Sequence, residues 1–475
     1  MDVLKKLFEA HFGSPAAQIQ PLKGDLGASG RKLVRLTSGP HTAIGVLYDV
    51  REENVAFLEF SRHFRRHGLP VPEIYAEDLS HGAYLEEDLG DTTLYEFLSE
   101  NRDGENISPQ AVEAYRKVVT VLPRFQVEAG RDLNYDVCYP IASFDRQSIA
   151  WDLNYFKYYF LRLAGIPFNE HALENDFSRL TDFLLGAPRD YFLYRDFQSR
   201  NIMLRDGQPT FVDYQGGRQG ALQYDITSLL FDSKADLPPA LRQQLLDDYL
   251  DALSRFIPLD REVFLQHYYA FVYVRLMQAL GAYGFRGFYE RQAHFLQSVP
   301  YALKNLRWLL HNITLPIAMP TLLNAFSNML ASPKLQTSAA GGEKITVHVF
   351  SFSFHRDFPR DETGNGGGFV FDGRGLPNPG REERFKTFTG KDAPVIDYLN
   401  QQESVHQFLT SVLSLVDSTA SAYQRRGFKN LMVSFGCTGG QHRSVYLAEQ
   451  LAKHLRARNG VEVVVRHLEL EKLAK

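Results

Sequence analysis

The 475-residue sequence has only two cysteines, Cys138 and Cys437, so it cannot hold the disulfide framework of a small secreted domain. It also lacks any run of roughly 18 uncharged apolar residues, the length that a membrane-spanning helix needs. The first twelve residues form a short amphipathic stretch without the apolar run of a signal peptide. These absences predict a soluble cytoplasmic protein that has no membrane partner.

An excess of charge of one sign is missing as well. The chain carries 52 lysines and arginines against 56 aspartates and glutamates, which gives a formal net charge of -4. Such a balance provides no general attraction to nucleic acids or acidic membranes. Hydrophobic residues make up 44% and charged residues 23% of the chain, which is a globular composition, and the length allows two or three domains.

The first part of the chain has the pattern of a small strand-rich lobe followed by a larger helical one. Strand patterns occupy residues 31–39, 42–50 and 81–90, and an amphipathic helix at 53–68 lies between the second and the third. From about residue 109 the pattern becomes helical and aromatic-rich, with two short apolar runs near 190–214. This layout, with lobes at about 1–90 and 91–330, is typical of an α+β protein-kinase-like two-lobe fold.

A change of pattern separates a second domain from the first. Residues 331–344 are small, polar and glycine-containing, which predicts a linker. Beyond it, strand and helix patterns alternate, with strands at 345–354, 430–436 and 461–470 and helices at 405–427 and 444–458. Alternation of this kind predicts a small α/β domain over 345–475, with a mostly parallel sheet.

The strongest chemical signal lies in residues 194–216. Asp196 precedes Asn201 by five residues on one predicted loop, and Asp213 follows the next short strand. Phosphoryl transfer from ATP needs a carboxylate beside the attacking hydroxyl and ligands that hold Mg²⁺ on the phosphates. The Asp–Asn spacing alone arises often by chance, in a solvated loop or a helix cap. Together with the flanking strands and the two-lobe layout, it predicts a kinase that uses ATP and Mg²⁺.

Five stretches of this region resemble the aminoglycoside phosphotransferase/choline kinase superfamily: residues 84–91, 194–204, 211–220, 224–232 and 274–285. More closely, they resemble bacterial kinases that phosphorylate N-acetylmuramic acid and N-acetylglucosamine at the anomeric hydroxyl. The resemblance implies that Asp196 is the catalytic base, that Asn201 and Asp213 are Mg²⁺ ligands and that Asp225 is structural. It also implies a hinge whose backbone contacts adenine, formed by Glu86, Glu87, Asp88 and Leu89.

The glycine-rich segment 24–32 is predicted to cover the ATP phosphates, because glycines let the backbone approach phosphate oxygens. The candidate nucleotide-binding residues in it are Gly27, Ser29, Arg31 and Lys32. Kinases of this shape usually carry a lysine on the next strand, but residues 42–50 contain none. Arg31 or Lys32 is therefore predicted to contact the phosphates instead, with Glu53 as its ion-pair partner.

The substrate pocket is predicted from fewer signals. Asp145, Arg195 and Gln215 are candidate contacts for an amino sugar, since carboxylates and polar groups bind sugar hydroxyls. Trp151, Tyr155 and Tyr159, on a helix that flanks the cleft by analogy, are expected to be core residues. Two alternatives remain open at this point: a kinase for another alcohol, such as an aminoglycoside, choline or homoserine, and a non-catalytic adapter that binds nucleotide and RNA.

The second domain contains a glycine-rich loop, residues 437–444, between a predicted strand and a predicted helix. Such a loop presents backbone N–H groups and the positive end of the helix dipole to an anion. It predicts a phosphate site formed by Thr438, Gly439, Gly440, Gln441, His442, Arg443 and Ser444, with Asp372, Arg374 and Asn378 nearby. The spacing from Cys437 to Arg443 also matches cysteine-dependent phosphatases. Because Gly436 stands where those enzymes carry a histidine, we expect binding without chemistry and a buried structural thiol.

Four motifs in this domain, residues 350–354, 370–379, 389–390 and 435–452, resemble the C-terminal domain of the RNase adapter RapZ. The ATP-binding P-loop domain that precedes it in RapZ has no counterpart here. The resemblance implies a phosphosugar or phosphate ligand. RNA is a less favoured partner, because the basic residues of this region are interleaved with acidic ones.

Overall fold

The computed structural model describes residues 1–22, 30–104, 106–337, 345–356, 358–364, 367–425, 428–456, 458 and 460–473. The chain divides into two compact units, Met1–Ser332 and Pro333–Lys475. Among the helices that the structure describes, none has the length and apolar character needed to cross a membrane.

The first unit begins with a lobe built on an antiparallel sheet. Its strands are β1 (Gln18–Pro21), β2 (Lys32–Ser38), β3 (His41–Leu47), β4 (Ile74–Asp78) and β5 (Ala83–Glu87), in the order β1-β2-β3-β5-β4. Helix α1 (Asp2–Phe12) buries Leu4 and Phe8 against this sheet, and α2 (Arg51–Arg66) connects β3 to β4. The three predicted strands are confirmed as β2, β3 and β5, and the predicted helix is confirmed as α2.

A helical lobe follows. Its helices are α3 (Leu94–Glu100), α4 (Pro109–Pro123), α5 (Arg146–Tyr155), α6 (Glu170–Leu184), α7 (Gln223–Leu230), α8 (Pro239–Leu253), α9 (Arg261–Gly284), α10 (Val299–Asn312) and α11 (Pro320–Ala331). Short antiparallel pairs interrupt them: β6 (Arg102–Asp103) with β7 (Asn106–Ile107), β8 (Tyr191–Leu193) with β11 (Arg218–Gly220), and β9 (Ile202–Arg205) with β10 (Gln208–Phe211). The predicted protein-kinase-like fold is confirmed.

The second unit contains a four-stranded, fully parallel sheet. Its strands are β12 (Ile345–Ser353), β13 (Gly368–Asp372), β14 (Asn430–Cys437) and β15 (Val461–His467), in the order β13-β14-β12-β15. Its helices are α12 (Pro333–Thr337), α13 (Ala393–Asn400), α14 (Glu403–Arg425), α15 (Arg443–Arg456) and α16 (Leu468–Leu473). Buried aliphatic residues of β12 and β14, such as Val347 and Val433, meet Leu447 and Leu451 of α15 in the core. The predicted α/β domain with a mostly parallel sheet is confirmed.

Two boundaries differ from the sequence patterns. The last strand was expected over 461–470 but ends at His467, and the following Leu–Glu repeat forms α16, because leucine, glutamate and lysine are good helix formers. The predicted linker 331–344 contains the short helix α12, in which Leu335 is buried. Residues 338–344 of that linker lie outside the described residues.

Candidate functional site

The loop between β8 and β9 carries Asp196, and the side chain of Asp225 holds the backbone of this loop. Asp225, in the first turn of α7, accepts the backbone N–H of Tyr194 at 2.8 Å and that of Arg195 at 3.0 Å. Gln126 donates a third hydrogen bond to the same carboxylate. Burial raises the pKa of Asp225 to about 6, against the effect of these donors. The geometry agrees with the structural role that the sequence assigned to Asp225.

Asn201 connects the loop that carries Asp196 to the carboxylate of Asp213. Its Nδ2 donates to the backbone carbonyl of Asp196 at 2.9 Å and to Oδ2 of Asp213 at 2.9 Å. Gln215 donates to Oδ1 of Asp213 at 2.6 Å, and Asp213 itself has a left-handed φ of 70°. Burial, followed by the negative charge of Asp196, raises the pKa of Asp213. The structure thus brings Asp196, Asn201 and Asp213 into one site.

This donor set suits Mg²⁺. Carboxylate and amide oxygens are the protein ligands that Mg²⁺ takes when it also binds nucleotide phosphates. The raised pKa of Asp213, next to a second carboxyl group, marks a place where a cation would relieve like-charge repulsion. Asp213 and Asn201 are the residues that would hold the ion.

Arg31 connects this site to the first lobe. Its guanidinium donates to Glu53 of α2 at 2.7 Å and lies 3.6 Å from Oδ1 of Asp213, with a side chain only 9% exposed. It also lies over the ring of Tyr48, 4.9 Å from the centroid. Lys32, in contrast, is exposed at the start of β2. Of the two predicted cations, Arg31 has the expected partner Glu53; phosphate binding by either remains a prediction. Gly27 and Ser29 lie outside the described residues.

The predicted hinge residues have different surroundings. Glu87 forms an ion pair with Arg205, and Asp88 accepts hydrogen bonds from Arg35 at 2.7 Å and from Thr42 at 2.6 Å. These contacts fix the side chains at the end of β5, while Leu89 is buried. Glu86 differs, because its Oε2 is buried and has no hydrogen-bond partner among the described residues. Burial raises the pKa of Glu86 to about 8, while the charge of Arg31 opposes the shift.

The three predicted sugar contacts all have protein partners. Arg195 donates to both oxygens of Asp152, at 2.8 and 2.7 Å, and lies against the rings of Phe144 and Tyr224. Asp145 caps α5 by accepting the N–H of Ser148.

Gln215, the third predicted sugar contact, donates its amide N–H to Asp213, while its Oε1 is buried and has no partner among the described residues.

Among the aromatic residues of the cleft, the expectation of a core position is wrong for Trp151, which is 47% exposed because it lies on the outer face of α5. Tyr155 and Tyr159 pack against Phe285.

A second group of ionisable side chains lies near the end of α2. His67 Nε2 lies 3.1 Å from Asp132, and His63 Nε2 is 2.8 Å from the carbonyl oxygen of Ala129. Because a ring nitrogen bonded to a carbonyl must carry a proton, this nitrogen of His63 cannot also bind a metal ion. The cluster therefore fastens α2 to the 129–132 segment.

The predicted phosphate loop lies between β14 and α15, where Thr438 and Gly439 are exposed. Cys437 is 2% exposed, and its Sγ lies 3.2 Å from the N–H of Gly440 and 3.1 Å from Oγ of Ser444. The thiol is therefore closed off inside the loop, as expected for a structural cysteine rather than a nucleophile.

Most polar side chains of this loop hold it in place. Arg443 donates to the carbonyls of Arg374 and Leu376, at 2.9 and 3.0 Å, and to Oγ1 of Thr438 at 3.2 Å. Gln441 donates to the carbonyl of Phe388, and His442 pairs with that of Phe385.

The neighbouring segment is also internally bonded. Asp372 pairs with Arg374 at 2.6 Å, and Asn378 caps a turn by accepting the N–H of Gly380. The guanidinium of Arg443 thus joins this segment to the loop. The predicted residues come together, but Arg443 positions the loop instead of presenting a free charged fork.

Residues 25–259 match the phosphotransferase enzyme family, and residues 345–471 match the RapZ C-terminal domain. The first unit carries a phosphotransferase-family domain, and the second carries a RapZ C-terminal domain.

Curated relatives include nucleotide-binding proteins of Xylella fastidiosa strain M23 (41% identical over 129 residues, 27% of this chain and 43% of the relative) and Thioalkalivibrio sulfidiphilus (40% over 131 residues, 28% and 44%). The chain thus spans less than half of these relatives. Similar solved structures include choline kinase LicA from Streptococcus pneumoniae (15% identity, TM-score 0.42, covering 64% of this chain and 98% of that one). Another is an ethanolamine kinase from Plasmodium vivax (12%, 0.40, 68% and 84%).

Sequence reasoning missed several residues that shape the phosphotransferase site. Asp152 is the partner that orients Arg195, and Gln126, bonded to Tyr249, supports Asp225. These partners are separated by 43 to 123 positions along the chain, so no local spacing signals them.

Proposed function

We propose that the first unit is a kinase that transfers the γ-phosphate of ATP to the anomeric hydroxyl of N-acetylmuramate or N-acetylglucosamine, with Mg²⁺ as its metal. The observation that carries this proposal is the amide of Asn201, which bonds both the backbone of Asp196 and the carboxylate of Asp213. The choice of an amino sugar rests on the resemblance of the stretches at 84–91 and 194–232. As a protein of this kind it would act in the cytoplasm.

The chemistry follows from the positions of these side chains. The acceptor hydroxyl gives its proton to Asp196, its oxygen bonds to the γ-phosphorus, and the bond from that phosphorus to the bridging oxygen breaks to release ADP. Arg31, held by Glu53, supplies positive charge beside Asp213 as charge shifts toward the leaving oxygen. Mg²⁺, when bound, would neutralise phosphate charge.

The positioning residues act one step further out. Asp225 fixes the backbone of residues 194 and 195, so the Asp196 carboxylate is presented by a loop with little freedom. The pair of Arg195 and Asp152 holds the same loop from its other side. Asp145, Arg195 and Gln215 border the sugar in this proposal, and Oε1 of Gln215, which receives no hydrogen bond from the described residues, can accept one from a substrate hydroxyl.

Incubation of the full chain with Mg-ATP and a panel of acceptors tests this function. The panel contains both amino sugars, an aminoglycoside, choline and homoserine, and NMR identifies any phosphorylated product. We expect phosphate on the anomeric carbon of an N-acetylated amino sugar, in an acid-labile, alkali-stable product. Phosphate on the 6-position would contradict the proposed regiochemistry. Turnover of choline alone would contradict an amino-sugar substrate and indicate a choline kinase.

For the second unit we propose phosphosugar binding at residues 437–444. The loop opens helix α15, its tip at Thr438 and Gly439 is exposed, and Arg443 locks it to residues 374 and 376. Calorimetric titration of the full chain with glucosamine phosphates should show a binding site that a nucleotide does not compete for. A titration that shows no heat of binding would contradict this proposal, and RNA would then be the next ligand to test.

A further inference from the structure

An open cavity in the helical lobe lies away from the phosphotransferase site. It has a volume of about 280 Å³ and is lined by residues of α8, α9 and α10, together with Phe231 at the end of α7. Among the described residues that line it, none is a predicted catalytic, metal or acceptor residue. Tyr268 in its wall is about two turns of α9 away from Arg275, which donates to Tyr224 beside Arg195. About 10 Å along the helix axis therefore separates the cavity from that part of the site.

The wall of the cavity contains a buried positive charge without a counter-charge. Arg242 of α8 is only 6% exposed and lines the cavity. Its guanidinium makes one hydrogen bond with the described residues, from Nη1 to Oδ1 of Asn305 at 2.7 Å, and no ion pair. Because a guanidinium carries five N–H donors, most of them remain for a ligand. Burial lowers the pKa of Arg242, as expected for a cation that has left water without full compensation.

The carboxylates near this cavity are already paired with other cations. Asp236 accepts a hydrogen bond from Lys304 at 2.9 Å, and Asp247 forms an ion pair with Arg261 at the start of α9. Buried charges in proteins are usually paired, because an isolated ion is costly to remove from water. An anion from outside the chain would complete Arg242.

Aromatic side chains form much of the remaining wall. The guanidinium of Arg242 lies over the ring of Phe231, 4.2 Å from its centroid, and over that of Trp308 at 5.0 Å. Tyr268 and Tyr269 line the same space. Such rings pack against a flat apolar body. The planar fork of one arginine matches the shape and the single charge of a carboxylate, whereas it would neutralise only half of a phosphate dianion.

We propose that this cavity binds a small aromatic carboxylate, with the carboxylate on Arg242 and the ring among the aromatic side chains of the wall. The site is independent of the proposed phosphoryl transfer, and a chain that transfers no phosphate would still bind this ligand. Phenylacetate, which has one ring and one carboxylate, is a suitable probe.

Calorimetric titration of the full chain with phenylacetate tests the proposal, and phenylacetamide and phenyl phosphate test the choice of anion. We expect phenylacetate to bind, and both analogues to bind more weakly. Arg242→Met should weaken phenylacetate binding by a factor of about 10 to 150, because it removes a charge-assisted hydrogen-bonded pair. Arg307→Met is the matched control, since Arg307 is exposed on α10 beside Trp308, and it should bind phenylacetate as the native chain does.

A second pair of variants changes the charge at the cavity without altering the core. Gln243 lines the cavity and is exposed, so substitutions there leave Arg242 and its rings in place. Gln243→Glu should weaken phenylacetate binding and Gln243→Lys should strengthen it, because like charges repel and opposite charges attract. Thermal melting shows which variants are folded, and the Gln243 pair decides the question if Arg242→Met does not fold.

Three results would overturn the proposal: no binding of phenylacetate to the native chain, equal binding of phenylacetamide, or the same phenylacetate affinity in the native chain and in every folded variant at positions 242 and 243. Tighter binding of phenyl phosphate than of phenylacetate would overturn the choice of a carboxylate.

Discussion

Replacing Arg31 removes the cation that joins α2 to Asp213, the carboxylate proposed to hold Mg²⁺. In the structure its guanidinium contacts Glu53 at 2.7 Å and Asp213 at 3.6 Å, and the side chain is largely shielded from water. A hydrogen bond to a charged group, such as the one to Glu53, contributes about 1.5–3 kcal/mol, because its loss leaves the partner charge uncompensated. Arg31→Met should therefore lower kcat/KM for ATP by a factor of about 10 to 150.

A lysine at the same position provides an intermediate case. Its single ammonium carries the charge but cannot bridge Glu53 and Asp213 at once, as a planar guanidinium does. Arg31→Lys should lose less than Arg31→Met, and Lys32→Met should stay within about twofold of the native chain because exposed charges contribute little. A coupled assay of ADP release at varied ATP concentration measures all three. A native kcat/KM in Arg31→Met, or a larger loss in Lys32→Met than in Arg31→Met, would refute the proposed role of Arg31.

Three further predictions concern Asp196, His63 and Arg443. Asp196→Asn should lower kcat by about 10² or more, since it removes the proton acceptor, and near-native turnover of the folded variant would refute that role. Burial lowers the pKa of His63, so the unfolded chain binds its proton more tightly and stability declines as pH falls below the ordinary histidine pKa of about 6.5. Urea unfolding from pH 7.5 to 5 should show this slope for the first unit, and His63→Gln should flatten it; an equal slope would contradict the burial argument. Arg443→Ala should lower the free energy of unfolding of the second unit by about 1–3 kcal/mol and weaken phosphosugar binding, whereas unchanged stability would show that its carbonyl contacts are unimportant.

Much of the architecture could be predicted because it depends on local patterns. Alternating apolar residues define β2, continuous buried runs define β3 and β5, and the buried phenylalanines of α2 follow a helical spacing. The Leu–Glu repeat at 468–473 shows the limit of such patterns, since alternation over six residues fits a strand while the residue types favour a helix.

The site could be predicted in part. Asp196 and Asn201 precede the short hairpin of β9 and β10, and Asp213 follows it, so their convergence could be predicted from the sequence. The roles of Arg195 and Arg443 could not be predicted, because each depends on a partner that is distant in the sequence. Arg195 pairs with Asp152, and Arg443 donates to the carbonyls of residues 374 and 376. An arginine in a motif suggests a ligand contact, but only the fold shows whether its donors are already used.

Identification of the product by NMR most directly tests the proposal that the first unit phosphorylates an N-acetylated amino sugar at its anomeric hydroxyl. The full chain is incubated with Mg-ATP and N-acetylmuramate or N-acetylglucosamine, with Asp196→Asn as the matched inactive control. We expect a phosphorus–proton coupling at the anomeric position in the native sample and none in the control. Stoichiometric ATP consumption without a phosphorylated sugar, or the same product from both proteins, would contradict it.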